Sequence, residues 1–144
     1  MRAFNFFVPG QAIPKASCRT ANGHTYIPKK SRTYMASVAS HCARAHKGFI
    51  YDGPLRLTVV VFVKRGKTVT RDMPSVKPDY DNILKAIGDG ISEAGSCWAD
   101  DSRVVESHCY MTYAKDGEPE GVVVQVEEVC EDMARPALFD LRSY

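Results

Sequence analysis

Nine consecutive residues, Leu-Arg-Leu-Thr-Val-Val-Val-Phe-Val at positions 55–63, are almost all apolar and mostly β-branched. Branched side chains are stiff and fit a pleated, half-buried surface better than a helix, so this run predicts the clearest strand of the chain. Other segments supply neighbours for it. Residues 3–8 are apolar and aromatic and end at Pro9-Gly10, which predicts a first strand. Residues 102–113 and 121–129 read as two more strands, joined across Asp116-Gly117 by a turn-rich connection. In the second of these, Val122, Val124 and Val126 alternate onto one face.

Two stretches carry helical periodicity instead. Tyr34, Val38, Cys42 and Ala45 recur at helical spacing within residues ~30–46, after Pro28. Ile83, Leu84, Ile87 and Ile91 form the apolar face of a second helix at about 80–94, which Gly95 stops. Residues 11–28 read as a loop or loose hairpin with a short extended piece at 24–27. The expected fold is α+β: a small mixed or antiparallel sheet with two helices packed on it. A chain of 144 residues fits one domain, here placed at 1–130, with a tail over 131–144 in which Phe139 and Leu141 either dock or fray. No apolar run approaches the ~20 residues of a bilayer span, and the N-terminus lacks a signal-peptide stretch, so a cytoplasmic protein is expected.

The five cysteines (Cys18, Cys42, Cys97, Cys109, Cys130) include no C-x-x-C pair. That argues for reduced, mostly buried thiols rather than a disulfide framework or a structural zinc site. Cys42 and His46 share a helical face, but no second pair completes a metal site.

Charge is split along the chain. The net charge of +2 combines +12 over residues 1–77, from 14 Lys/Arg and two acidic residues, with −10 over residues 78–144, from 5 Lys/Arg and 15 acidic residues. A basic half of this kind suggests a polyanionic partner. Its irregular segment 64–77 holds Lys64, Arg65, Lys67, Arg71 and Lys77, and long irregular connections are commonly functional.

The acidic half holds the candidate chemistry. Asp79 and Asp81 stand at the start of the second helix, just after Pro78, where the extended backbone lets side chains two apart converge. Lys85 lies one helical turn beyond Asp81, Asp89 one turn beyond that, and Asp100-Asp101 open the following strand. Phosphodiester hydrolysis by Mg²⁺ needs such an inventory: a few carboxylates for a hard, oxygen-seeking cation, and a lysine to neutralise transition-state charge. Taken alone, the same residues also suit a bland reading. Asp79 is a good N-cap, Asp81 complements the helix dipole, Asp81 and Lys85 make a surface pair, and Asp100-Asp101 form a polar turn. An EF-hand does not fit, because Leu84 stands where its glycine is required.

The run Lys77-Pro78-Asp79-Tyr80-Asp81-Asn82-Ile83-Leu84-Lys85, the Asp at 89, and Trp98-Ala99-Asp100-Asp101-Ser102-Arg103-Val104-Val105 together closely resemble the RusA family of phage- and prophage-borne Holliday-junction resolvases. Gly10-x-x-Ile13-Pro14-Lys15 and Tyr26-x-Pro28-Lys29-Lys30 look like the family's N-terminal part, so the resemblance covers about residues 5–129. The resemblance implies metal ligands at Asp79, Asp81 and Asp101, a catalytic lysine at Lys85, and supporting acidic roles for Asp89 and Asp100. It also implies Mg²⁺, with Mn²⁺ as a substitute, and a homodimer that cuts two strands of a four-way junction symmetrically. The run Pro14-Lys15-Ala16-Ser17-Cys18-Arg19 departs from the family's more basic loop and keeps only Lys15 and Arg19. The expected DNA surface comprises Lys15, Arg19, Lys29, Lys30 and Arg32 with Lys64, Arg65, Lys67, Arg71 and Lys77. Two other functions fit the residues alone: a nuclease for flaps or forks without junction specificity, and a non-catalytic DNA-binding module. Tyr80 and Trp98 flank the carboxylates; base stacking is open to both, with core packing favoured for Trp98.

Overall fold

The computed structural model describes residues 2–130 and Arg142; the tail expected at 131–144 lies, apart from Arg142, outside the described residues. The elements in chain order are β1 (Ala3–Pro9), a short hairpin of β2 (Arg19–Ala21) and β3 (His24–Tyr26), helix α1 (Lys29–Ala45), β4 (Leu55–Val63), helix α2 (Tyr80–Ala94), a 3₁₀ turn (Asp101–Arg103), β5 (Val104–Tyr113) and β6 (Gly121–Glu128). The hairpin turns at Asn22-Gly23, both at positive φ, which glycine adopts freely and asparagine tolerates.

The main sheet has the order β1-β6-β4-β5. β6 is antiparallel to β1 and to β4, whereas β4 and β5 run parallel. Strand β4 is thus internal, as its apolar run requires. The parallel pair needs a crossover, and α2 lies within it. The turn at Asp116-Gly117 does not close a hairpin, because β4 separates β5 from β6. The sheet is mixed, and the α+β expectation holds.

Alternation along the strands separates two faces. Leu55, Leu57, Val59 and Val61 of β4, Val122, Val124 and Val126 of β6, and Phe6 and Val8 of β1 are buried. They form one core cluster with Val38 and Cys42 of α1, Ile83, Ile87 and Ile91 of α2, and Trp98. The two helices meet at Gly90, where a Cβ would stand 2.6 Å from Cβ of Val38 and 3.0 Å from the Met35 carbonyl oxygen. Only a residue without a side chain lets the backbones approach so closely.

Trp98 is a core residue. It is 1% exposed and its Nε1 donates to Ser92 Oγ at 2.7 Å. His46 stacks on Phe4 and Tyr51, with Nε2 2.8 Å from the Phe49 carbonyl oxygen, so the Cys42–His46 spacing serves packing. The thiols are free: Cys42 and Cys97 are buried, Cys109 is half-buried, and Cys18 and Cys130 are exposed. Among the described residues, no helix is long and apolar enough to cross a membrane.

Candidate active site

Helix α2 starts at a residue with extended backbone, Asp79 (φ −71°, ψ 139°). The position is that of an N-cap, yet the Asp79 side chain makes no capping bond. Asp81 sits in the first turn, and no ion pair joins it to Lys85 among the described residues. Asp79, Asp81 and Lys85 are all exposed. Capping and a surface pair therefore do not engage these residues, and of the local explanations only the first-turn position of Asp81 against the helix dipole holds. Asp79 and Asp81 border an open hollow with Lys77, Pro78, Tyr80 and Met111, and the Tyr80 ring is largely exposed beside them.

Two turns along α2 a second hollow, of about 190 Å³, is lined by Lys85, Asp89, Trp98, Asp101, Val104 and Ser107, among others. Asp101 reaches it from the 3₁₀ turn that precedes β5. The buried Trp98 and the bond from Tyr51 N to Cys97 O at 2.8 Å anchor the chain just before that turn. An extra residue, Val105, bulges the start of β5 where the register against Leu55 and Arg56 shifts; bulges of this kind redirect side chains beside functional sites. Asp100 caps the turn, its Oδ2 accepting from Ser102 Oγ at 3.1 Å and its Oδ1 from Ser102 N at 3.5 Å.

The two adjacent carboxyls differ electrostatically. A hydrogen bond with Asp101, followed by those from Ser102, pulls Asp100 below the usual carboxylate range. Asp101 is pushed up by the hydrogen bond with Asp100, then by burial and by repulsion from Asp100 and Asp89. Asp101 is the member of the pair that holds a proton more readily, in a neighbourhood already rich in negative charge. Lys15 answers part of that charge: its Nζ lies 2.5 Å from Asp89 Oδ2. This hydrogen bond raises the Lys15 ammonium above its ordinary pKa despite partial burial.

Over residues 8–127 the sequence matches the family described as Endodeoxyribonuclease RusA. The chain belongs to the RusA endodeoxyribonuclease family. It is accordingly an enzyme, a hydrolase acting on DNA. It is also similar to the uncharacterized protein YqaN of Bacillus subtilis (strain 168), with 25% identity over 142 residues, covering 88% of this chain and 99% of the relative.

Within this RusA-family domain the structure draws together Lys85, Asp89, Asp100 and Asp101, and adds Lys15. Asp79 and Asp81 line the neighbouring hollow, and Asp81 stands about 6 Å from Lys85 along the helix axis. Among the described residues no three His, Cys, Asp or Glu side chains are arranged as a ready-made metal cage. Of the ten basic residues expected to face DNA, nine are exposed: Arg19, Lys29, Lys30, Arg32, Lys64, Arg65, Lys67, Arg71 and Lys77. Arg65 also organises its own loop, donating to the carbonyls of Arg71 (2.9 Å) and Val69 (3.3 Å) with its guanidinium over the Tyr113 ring. Lys15 is the exception, half-buried against the acidic residues. Sequence reading misses this placement because Lys15 and Asp89 are far apart in the chain and no local pattern links them.

Proposed function

We propose that this chain is a divalent-metal-dependent endonuclease that resolves four-way DNA junctions by paired phosphodiester hydrolysis. The observation that carries this reading is the state of Asp79, Asp81 and Lys85, exposed side chains with no capping bond or ion pair among the described residues, in a family of DNA hydrolases. The donor set suits a hard cation, because the carboxylates of α2 and the 3₁₀ turn offer oxygen alone. In this reading Asp79, Asp81 and Asp101 hold Mg²⁺, with Mn²⁺ as a substitute. The bound metal supplies a water activated for attack and charge stabilisation at the leaving oxygen.

The protein's own groups do the rest. Lys85, on the same helical face as Asp81, neutralises charge on the reacting phosphate. Asp100 supports the reaction by holding the turn that presents Asp101. The exposed lysines and arginines of residues 19–32 and 64–77 bind backbone phosphates, with Tyr80 placed to stack on an unpaired base. The nuclease domain spans residues 1–130, and the protein works in the cytoplasm of a bacterial or phage-infected cell.

The enzyme acts as a homodimer, matching two active sites to a two-fold substrate. The sheet face that no helix covers among the described residues supports this. Strand register sets Phe7, Val123, Val60 and Tyr110 in one row across all four strands, away from the helices. Val123 and Tyr110 are 36% and 57% exposed there. A second copy seated on that row buries it, and sedimentation of the purified protein as a dimer is the expected result.

The deciding experiment compares a labelled mobile four-way junction with a matched linear duplex, in Mg²⁺, in Mn²⁺ and in EDTA. Symmetric, metal-dependent nicks in the junction alone are expected. Equal cutting of flaps or forks would instead make the enzyme a general branched-DNA nuclease. Binding without cutting in either metal would make it a DNA-docking module.

A further inference from the structure

Among the described residues, Lys15 is the one basic residue of the expected DNA surface whose side chain pairs with a carboxylate, and its backbone is held as well. Its backbone N donates to Asn82 O, in the first turns of α2, at 2.9 Å. On either side of it, Ala16 N donates to Ser31 Oγ at 3.1 Å and the same hydroxyl donates to Pro14 O at 3.2 Å. Ser31 is a buried residue of α1, 3% exposed. Residues 14–16 are therefore stitched between the two helices. The side chain is then carried to Asp89 and closes an ion pair with it. A lysine held by its backbone and already engaged by a carboxylate is poorly placed to search for a phosphate. It is well placed to act on the carboxylates around it.

We propose that Lys15 is the resident counter-cation of the acidic hollow on α2: by pairing with Asp89 it sets how tightly the neighbouring carboxylates take a divalent ion. Lys15 is in this sense a positioning residue, working through Asp89. The inference rests on the metal-dependent reading above and assigns Lys15 a role other than general DNA contact. Its sign follows from Coulomb's law. A fixed positive charge within the site opposes a second cation, so removing it strengthens metal binding; a plain phosphate contact leaves metal binding unaltered.

The test uses the full chain without DNA and follows Mn²⁺ binding by the paramagnetic signal of the free ion. Lys15→Met is expected to bind Mn²⁺ roughly three- to tenfold more tightly than the wild type. Lys15→Arg, which keeps the charge, is expected to stay near the wild-type affinity. In an Asp89→Asn background the Lys15 ammonium loses the partner that holds it in the hollow, so the effect of Lys15→Met is expected to shrink. Thermal melts of each variant identify any that fails to fold, and Lys15→Arg then carries the comparison with Asp89→Asn. Unchanged Mn²⁺ affinity in Lys15→Met, beside measurable wild-type binding, overturns the proposal and leaves the nuclease reading standing. Absence of Mn²⁺ binding in the wild type removes the metal-dependent reading itself, and the proposal with it.

Discussion

The carboxylates at the start of α2 and those at the 3₁₀ turn look alike in sequence, each a closely spaced pair of aspartates, but the fold treats them differently. Asp79 and Asp81 are exposed and make no capping bond or ion pair among the described residues. Asp100 is spent on Ser102, and Asp101 is crowded by Asp100 and Asp89. One pair makes no capping bond or ion pair, whereas the other divides its labour between a member that caps the turn, Asp100, and one that faces the second hollow, Asp101. The lesson is that an acidic pair is not a unit: the member left over after the backbone has been satisfied is the one available for chemistry.

That contrast can be broken by substitution. Asp81→Asn and Asp101→Asn are each expected to reduce junction cleavage by at least about a hundredfold while binding survives, since in the proposed mechanism the lost charge serves the metal. A variant that cuts at near wild-type rate removes its residue from the ligand set. Gly90→Ala comes next. It forces a methyl group against Val38 and the Met35 carbonyl, and is expected to cost about 1–3 kcal/mol, read from denaturant unfolding. Because Gly90 follows Asp89, cleavage should fall as well, whereas an unaltered midpoint would mean that the helices separate freely. Asp100→Ala should do least among the acidic changes, leaving part of the activity and a slightly lower melting temperature. If instead it matches Asp101→Asn, the division of labour within that pair is wrong.

Two thiols sharpen the same comparison without touching a carboxylate. Cys97 lies behind the 3₁₀ turn, and burial pushes its pKa up to about 12. Cys109 lies behind the start of α2, its Sγ 3.9 Å from the Tyr80 carbonyl oxygen, and burial raises it too. At pH 8 a thiol-reactive disulfide reagent is expected to modify exposed Cys18 and Cys130 fast, Cys109 slowly and Cys97 last. Fast modification of Cys97 would mean that the turn is not anchored on the core. The same burial has a pH signature. A folded thiol with a raised pKa keeps its proton more tightly than an unfolded one at about 8.5. The stability it contributes is complete below that value and is lost as the pH rises toward 12. Burial also pushes Cys42 up to about 11, so both core thiols should make the protein less stable in alkali.

What was legible in the sequence was what is local. The apolar run of β4 and the helical spacing of Ile83, Ile87 and Ile91 gave both elements nearly to the residue, because one buried face imposes its period on the chain. Asp79, Asp81 and Lys85 were legible because they lie within one short motif. Pairing was not legible. Nothing in the pattern of β5 says that its neighbour is β4 rather than β6, since alternation reports a buried face and not a partner. Lys15 was grouped with the DNA surface for the same reason: composition registers its charge, but only the stitching of residues 14–16 between the helices brings that charge to Asp89.

The register of β1 against β6, from Ala3 opposite Glu127 to Pro9 opposite Gly121, joins almost the first described residues to almost the last. During synthesis the opening strand must wait, with its aromatic side chains unshielded, until nearly all of the domain has left the ribosome. β6 is also the strand that joins β1 to the rest of the sheet, so no shorter nascent chain has the complete layer on which α1 and α2 rest. Closure over so long a stretch of sequence slows folding, and it ties assembly of the full sheet to a chain synthesised through β6. A chain released before β6 lacks the strand that joins β1 to the sheet.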